Sequence, residues 1–169
     1  SRIIEKLATW LLLTELAGEQ KQIQYLASGK PYFTDNSFHL SISHTKGYVA
    51  ILLDKQNRVG VDIEQVSNRI KKVSSRIVSQ HEYISPLHEQ EHLLLHWSAK
   101  ETLFKVLDEN GVDFIEHLYI KPFTPGKEGY FEAEEMRTSK RQRFIIHYLS
   151  TPDFVLTYTI CNNENPDCA

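Results

Sequence analysis

The sequence predicts an α+β fold, and three observations lead to that class. Two segments have the apolar spacing of helices, others alternate or run apolar as strands do, and the strands form two clusters with a helix each. The 169 residues fit a single domain, 1–169, in which we expect two α/β halves of about 1–84 and 85–169.

The predicted helices follow from the 3.6-residue period and from stop signals. Residues 2–17 form the first, which ends at Gly18, and residues 89–107 form the longest, which ends at Asn110-Gly111. A polar helix is predicted over 68–77. The apolar positions of the first helix are Ile3, Leu7, Trp10, Leu11 and Leu13.

Strands are predicted where apolar residues alternate or run together, and residues 29–32 are predicted to be a turn that leads into a polar stretch ending at Ser37. The predicted strands are 38–43, 48–53, 58–64, 118–120, 129–132, 144–149 and 154–160.

Composition excludes several classes of function. The net charge of −3 argues against a general nucleic-acid binder, whose footprint is strongly basic. No apolar run approaches the ~18 residues of a membrane span. Cys161 and Cys168 form neither a disulfide framework nor a zinc motif, so we expect a reducing, cytoplasmic setting.

The predicted strand 58–64 contains Gly60-Val61-Asp62-Ile63-Glu64. Alternation places Gly60, Asp62 and Glu64 on one face, with the two carboxylates ~7 Å apart. Such a pair could share a hard divalent cation such as Mg²⁺, and glycine would admit a close neighbour. An amphipathic strand with a solvated acidic face explains the same pattern.

The long helix carries Ser98, Glu101, Thr102 and Lys105 within one narrow arc, while most of the remaining circumference is apolar. That pattern indicates a buried helix whose polar arc faces something specific. The alternative is an ordinary surface ion pair between Glu101 and Lys105, four residues apart.

Two further segments carry groups suited to an anion. Ser41-Ile42-Ser43-His44-Thr45 ends a strand with hydroxyls and an imidazole, which suit phosphate but are also common in loops. Gly29-Lys30-Pro31 is a turn with a cation, and a weaker signal.

Read in order, these four segments resemble the motif series of the 4′-phosphopantetheinyl transferases, of the larger surfactin-synthetase-activating type. The most specific part is the pairing of Gly60-Val-Asp62-Ile-Glu64 with Trp97-Ser-Ala-Lys100-Glu101-Thr-Leu-Phe-Lys105. The resemblance covers roughly residues 1–160. It leads us to expect that the family's strand region before the first helix is missing here, which leaves Arg2 as a candidate for its basic residues.

The resemblance implies a monomer of two similar halves related by a pseudo-twofold axis. It also implies an enzyme, a holo-[acyl-carrier-protein] synthase, that transfers the 4′-phosphopantetheine group of coenzyme A to a carrier-protein serine and releases adenosine 3′,5′-bisphosphate.

Residue roles follow from the same resemblance. Asp62, Glu64 and Glu101 would hold Mg²⁺. Glu101 would also be the general base, directly or through a water, and Lys105 would stabilise the leaving phosphate or donate a proton to it. The residues implied to bind coenzyme A are Gly29, Lys30, Pro31, Ser43, His44 and Lys105.

The implied partner is an acyl or peptidyl carrier protein, a small acidic domain. It would dock along residues 68–77, on a basic patch formed by Arg69, Lys71, Lys72 and Arg76, although these cations also suit a solvated helix face. Two other functions stay open: a coenzyme A-binding relative that does not catalyse transfer, and a Mg²⁺-dependent phosphohydrolase acting on a nucleotide.

Overall fold

The computed structural model describes residues 2–109 and 111–161, and it confirms a mixed α/β fold. Asn110, Cys168 and the side chain of Arg2 lie outside the described residues. The helices are α1 Arg2–Ala17, α2 Ile70–Val73 and α3 Glu89–Leu107. The strands are β1 Ile23–Tyr25, β2 Pro31–Phe33, β3 His39–Thr45, β4 Tyr48–Asp54, β5 Arg58–Gln65, β6 Leu118–Ile120, β7 Glu128–Glu135, β8 Arg143–Ser150 and β9 Phe154–Cys161.

The described strands pair antiparallel throughout and form three sheets. The hairpins β1–β2 and β3–β4 are two-stranded, and the third sheet has five strands in the order β5-β9-β8-β7-β6. Strand β5 therefore lies at an edge, where it pairs with β9 from Arg58 opposite Cys161 to Gln65 opposite Phe154. This pairing joins the middle of the chain to its last described strand.

The main core lies between α3 and one face of the five-stranded sheet. Leu95, Ala99 and Leu103 of α3 are fully buried against sheet residues such as Ile146 and Val155. The other face of β5 and β9 is covered by the β3–β4 hairpin. Both faces of β5 are thus covered, so residues 59–63 are all buried although Asp62 is among them.

Lys100 is a fully buried cation in this core, on a part of α3 whose other side chains are largely apolar. Its ammonium donates to the Glu82 carboxylate and to the carbonyls of Ile77 and Phe114, each at 2.8 Å. The other Glu82 oxygen accepts the backbone N–H of Ile120 at 2.8 Å. Because every donor of the ammonium is used, this pair ties two loops to α3.

The predicted helix over 68–77 is wrong in extent. It divides into α2 and a 3₁₀ helix, Ser74–Arg76. The Ser74 hydroxyl donates to the Lys71 carbonyl at 3.0 Å, a side-chain bond that competes with helical pairing. The long helix, by contrast, has the predicted bounds, but the left-handed residue that ends it is Asp108, before the predicted stop at Asn110-Gly111. The predicted strands are found with extensions of at most three residues at an end, except that β3 begins at His39, one residue after its predicted start.

Residues 29–32 were predicted to be a turn, but Pro31 and Tyr32 belong to β2. The turn comes earlier: Gly29, with φ +86°, donates its N–H to the Leu26 carbonyl at 2.9 Å, and Leu26 donates to the Lys30 carbonyl at 2.9 Å. The composition Gly-Lys-Pro is that of a turn, and it concealed a strand that begins within it at Pro31.

Helix α1 has the predicted bounds, but its apolar residues do not share one environment. Leu13 is 3% exposed and packs with Phe33 and Leu40, whereas Ile3, Leu7, Trp10 and Leu11 are exposed. None of the helices described, in residues 2–109 and 111–161, is long and apolar enough to cross a membrane. Cys161 is buried, and its sulfur accepts from the Gln142 amide at 3.3 Å.

Two buried histidines on α3 make stability depend on pH. Nδ1 of His96 bonds to the His92 carbonyl at 2.9 Å. Nδ1 of His92 accepts the Ser85 N–H at 2.9 Å. Burial lowers the pKa of His96 to about 3 from its ordinary 6.5. The unfolded chain therefore takes up this proton first as the pH falls, so folding loses stability from pH 6.5 downward.

We expect His96 to contribute a loss of about 1.4 kcal/mol per pH unit below pH 6.5. Urea unfolding between pH 7.5 and 5 should show this loss in the wild type relative to His96→Gln, a comparison that cancels the other titrating groups. Equal pH dependence in the two proteins would contradict the assignment.

Candidate active site

The site begins where α3 lies directly on β5, at Gly60. A Cβ added there would lie 2.4 Å from the Thr102 carbonyl oxygen and 3.2 Å from the Val106 Cβ, so any side chain would push the helix away. The polar arc of α3 faces the sheet here: Ser98 and Thr102 bond to the Thr157 hydroxyl at 2.9 and 2.7 Å. The sequence indicated a specific contact for this arc, and the structure shows it.

Asp62 is buried in this contact rather than solvated. Its side chain is 5% exposed, and its Oδ1 accepts from the Ser43 hydroxyl and the Lys105 ammonium, each at 2.8 Å. Lys105 also donates to the Val61 carbonyl at 3.0 Å. The solvated acidic strand and the ordinary Glu101–Lys105 surface pair are therefore both wrong, because Lys105 reaches across to β5.

A row of hydroxyls explains how β3 is held beside β5 although the two strands belong to different sheets. Side-chain oxygens two residues apart on β3 accept backbone N–H groups two residues apart on β5. The pairs are Ser41 with Val61 at 3.0 Å, Ser43 with Ile63 at 3.3 Å, and Thr45 with Gln65 at 3.3 Å. The alternation of hydroxyls over residues 41–45 is the sequence signal for this contact, although the same groups also suit a phosphate.

Glu64 and Glu101 complete a cluster of three carboxylates with Asp62. The Trp97 indole donates to Glu64 Oε1 at 2.7 Å, yet burial still raises the pKa of Glu64. Burial, then the charges of Asp62 and Glu64, raise the pKa of Glu101 to about 7, against the opposing charge of Lys105. The cluster therefore carries more negative charge than its one ammonium compensates.

The cluster has the oxygen donors of a hard-cation site, but its carboxylates are not gathered around one metal position. Asp62 Oδ2 is buried and has no hydrogen-bond partner among the described residues. Those residues contain no group of three His, Cys, Asp or Glu side chains already gathered around a metal position. Mg²⁺ prefers oxygen donors and completes its shell with water and phosphate, so carboxylate oxygens in an open arrangement fit it.

A cavity of about 220 Å³ opens beside the cluster. Glu101, Phe104 and Lys105 of α3 form one wall, and the turn that contains Gly29 and Lys30 forms the other. The structure thus brings together the sequence-predicted Glu101, Lys105, Gly29, Lys30 and Pro31 around one space.

The remaining predicted ligands lie elsewhere. Ser43 is buried behind Lys105, with its hydroxyl bonded to Asp62. His44 is exposed and lines a second groove, of about 660 Å³, against α1. Gly29 and Pro31 border both spaces, so the β1–β2 turn separates the two.

A protein-family model described as the 4′-phosphopantetheinyl transferase superfamily matches residues 58–159, more than half of the chain. The chain belongs to this superfamily. The matched range contains Asp62, Glu64, Glu101 and Lys105 and begins after the Gly29–Pro31 and Ser41–Thr45 segments.

A curated protein of Haemophilus influenzae, provisionally named a 4′-phosphopantetheinyl transferase, is 32% identical to this chain over 105 residues. The match covers 55% of this chain and 45% of the relative. The chain therefore aligns with less than half of that protein's length.

We expect Gly60→Ala to destabilise the fold by about 1–3 kcal/mol, because α3 must move off β5 to admit the methyl group. Urea unfolding measures this loss. Gly126→Ala is the matched control, since its added Cβ would meet nothing nearer than 3.5 Å. Equal stability of the two variants would show that the close contact at Gly60 is not required.

Proposed function

We propose that this chain transfers the 4′-phosphopantetheine group of coenzyme A to a serine hydroxyl of an acyl or peptidyl carrier protein, releasing adenosine 3′,5′-bisphosphate. Membership of the superfamily supports the reaction class. The observation that carries the proposal is the incompletely compensated cluster of Asp62, Glu64 and Glu101, whose Glu101 lines a cavity together with Lys30 and Lys105.

Asp62, Glu64 and Glu101 are the residues that would hold Mg²⁺. When bound, the ion would neutralise the negative charge of a pyrophosphate substrate and the charge that develops during transfer. The free Oδ2 of Asp62 supports this assignment, because Ser43 and Lys105 occupy only the other oxygen.

Glu101 is the proposed general base. The serine oxygen forms a bond to the phosphorus that bears the pantetheine arm, and the bond from that phosphorus to the bridging oxygen breaks. The bond's electron pair leaves with adenosine 3′,5′-bisphosphate, and the serine proton passes to Glu101. Partial burial at the cavity wall and neighbouring negative charges both favour a carboxylate that accepts protons.

Lys105 is the proposed stabiliser of the leaving phosphate. Lys105 lines the cavity, and its ammonium bonds to Asp62. Gly29, Lys30 and Pro31 line the opposite wall, where they would contact the nucleotide part of coenzyme A.

Ser43 and His44 are also proposed to serve coenzyme A binding, in different ways. Ser43 would act through Asp62, which it contacts directly. His44 is exposed in the second groove, where an imidazolium could meet the 3′-phosphate.

The proposed docking region for the carrier protein is the basic patch on residues 68–77. Its four cations, Arg69, Lys71, Lys72 and Arg76, are exposed, and Lys71 pairs with Glu89 of α3. An acidic partner would compete with Glu89 for Lys71.

We also propose a subfamily, a location, an oligomeric state and a division of the chain. They are the surfactin-synthetase-activating type, a cytoplasmic monomer, and one domain of two similar halves, about 1–84 and 85–169, related by a pseudo-twofold axis. Helix α1 with two hairpins before residue 84, and α3 with strands β6 to β9 after it, support two α/β units, joined where β5 of the first pairs with β9 of the second.

We expect Glu101→Gln to lower the transfer rate by at least about 100-fold, because the amide can neither accept the proton nor carry charge toward Mg²⁺. Intact-protein mass spectrometry of an apo carrier protein incubated with the chain, coenzyme A and Mg²⁺ measures the transfer. The wild type should add one phosphopantetheine arm, and EDTA should abolish the gain.

Glu132→Gln is the matched control, since it makes the same chemical change at an exposed carboxylate on β7 that pairs with Lys121. Full activity of Glu101→Gln would refute the mechanism. No mass gain with coenzyme A bound would favour the binding-only alternative, and release of adenosine bisphosphate without a mass gain would favour the phosphohydrolase.

A further inference from the structure

Asp108 joins the two walls of the cavity. It directly follows the last residue of α3, and its carboxylate contacts the β1–β2 turn at two points. Oδ1 accepts from the Ser28 hydroxyl at 3.2 Å, and Oδ2 lies 3.2 Å from the Lys30 ammonium. These contacts connect positions 80 and 78 residues apart in the chain, across the mouth of one cavity.

Two local features of Asp108 are unfavourable by themselves. Its backbone is left-handed, with φ +53° and ψ +40°, a conformation that residues other than glycine seldom adopt. Its negative charge also stands at the C-terminal end of a helix, where the helix dipole disfavours anions. Glycine would avoid both the left-handed strain and the unfavourable charge, so we interpret the carboxylate by what it contacts.

The turn that Asp108 contacts is closed by its own backbone hydrogen bonds. The reciprocal backbone bonds between Leu26 and the residues Gly29 and Lys30 close it internally. An attachment at Ser28 and Lys30 therefore fixes the position of Gly29 and Pro31 as well, although Asp108 touches neither.

We propose that Asp108 is a positioning residue that sets the distance between the turn and the end of α3, and thereby prepares the cavity for the nucleotide part of its ligand. This inference rests on the proposed function, because it takes coenzyme A as the ligand. Asp108 keeps Lys30 at the cavity wall without itself taking part in the transfer. Its loss should weaken ligand binding and leave the chemical step unchanged.

Two variants distinguish the effect of the left-handed backbone at position 108 from the effect of the carboxylate contacts. Asp108→Gly accepts the left-handed conformation and removes both contacts. Asp108→Asn also tolerates that conformation and keeps an oxygen for Ser28, but it loses the ion pair with Lys30. Asn36→Gly is the matched control, because Asn36 is left-handed with φ +53° and exposed, and it does not line the cavity.

The first measurement needs no ligand. Hydrogen–deuterium exchange should be at least about threefold faster at the Leu26 and Gly29 amides in Asp108→Gly than in the wild type, because the turn is no longer held. Asn36→Gly should leave exchange in this turn unchanged.

The second measurement is calorimetric titration with coenzyme A, combined with transfer kinetics. We expect the Kd and KM for coenzyme A to rise about five- to tenfold in Asp108→Gly and less in Asp108→Asn, with kcat within about twofold of the wild type. A general structural defect would instead lower the unfolding midpoint, and it would not raise KM selectively while leaving kcat unchanged.

Unchanged exchange in Asp108→Gly would overturn the proposal whatever the ligand is. Tighter binding by Asp108→Asn would overturn it in another way, by showing that the carboxylate competes with the ligand for Lys30. A wild type that neither binds coenzyme A nor modifies a carrier protein would instead refute the proposed function and the ligand half of this proposal, while exchange still decides whether Asp108 holds the turn.

Discussion

The contact between α3 and β5 at Gly60 is the constraint on which the site depends. Without a side chain at this position, the helix backbone lies against the strand, with the Thr102 carbonyl where a Cβ would be. That proximity lets Lys105 reach Asp62 across the contact and brings Glu101 into the field of the strand carboxylates. The same contact leaves the end of α3 free to form a cavity wall.

The negative charge of the site's carboxylates is only partly compensated by the protein. Lys105 and Ser43 satisfy one oxygen of Asp62 and leave the other without a partner, while burial and mutual repulsion raise the pKa of both glutamates. A cation would relieve each of these costs together. This arrangement contrasts with Lys100 and Glu82, whose buried pair is saturated by hydrogen bonds and serves to hold loops to α3.

The sequence predicted the long helix, most strands and the polar arc of α3, because each has several turns or alternations of signal. It did not reveal the β1–β2 hairpin, because Gly29-Lys30-Pro31 has the composition of a turn and β2 begins at Pro31. Nor could it reveal the contacts of Asp108 with this hairpin, which join positions about eighty residues apart. Ser43 shows why a correct motif does not fix a role: its hydroxyl faces Asp62, and only packing of β3 beside β5 determines that direction.

Binding of Mn²⁺, a spectroscopic substitute for Mg²⁺, tests the central claim most directly, in the presence of coenzyme A. The paramagnetic resonance signal of free Mn²⁺ should fall until about one ion is bound per chain, and Asp62→Asn should weaken that binding at least about tenfold. Absence of binding, or equal binding by Asp62→Asn, would contradict the account, because the carboxylates gathered by the α3–β5 contact would then not form a cation site.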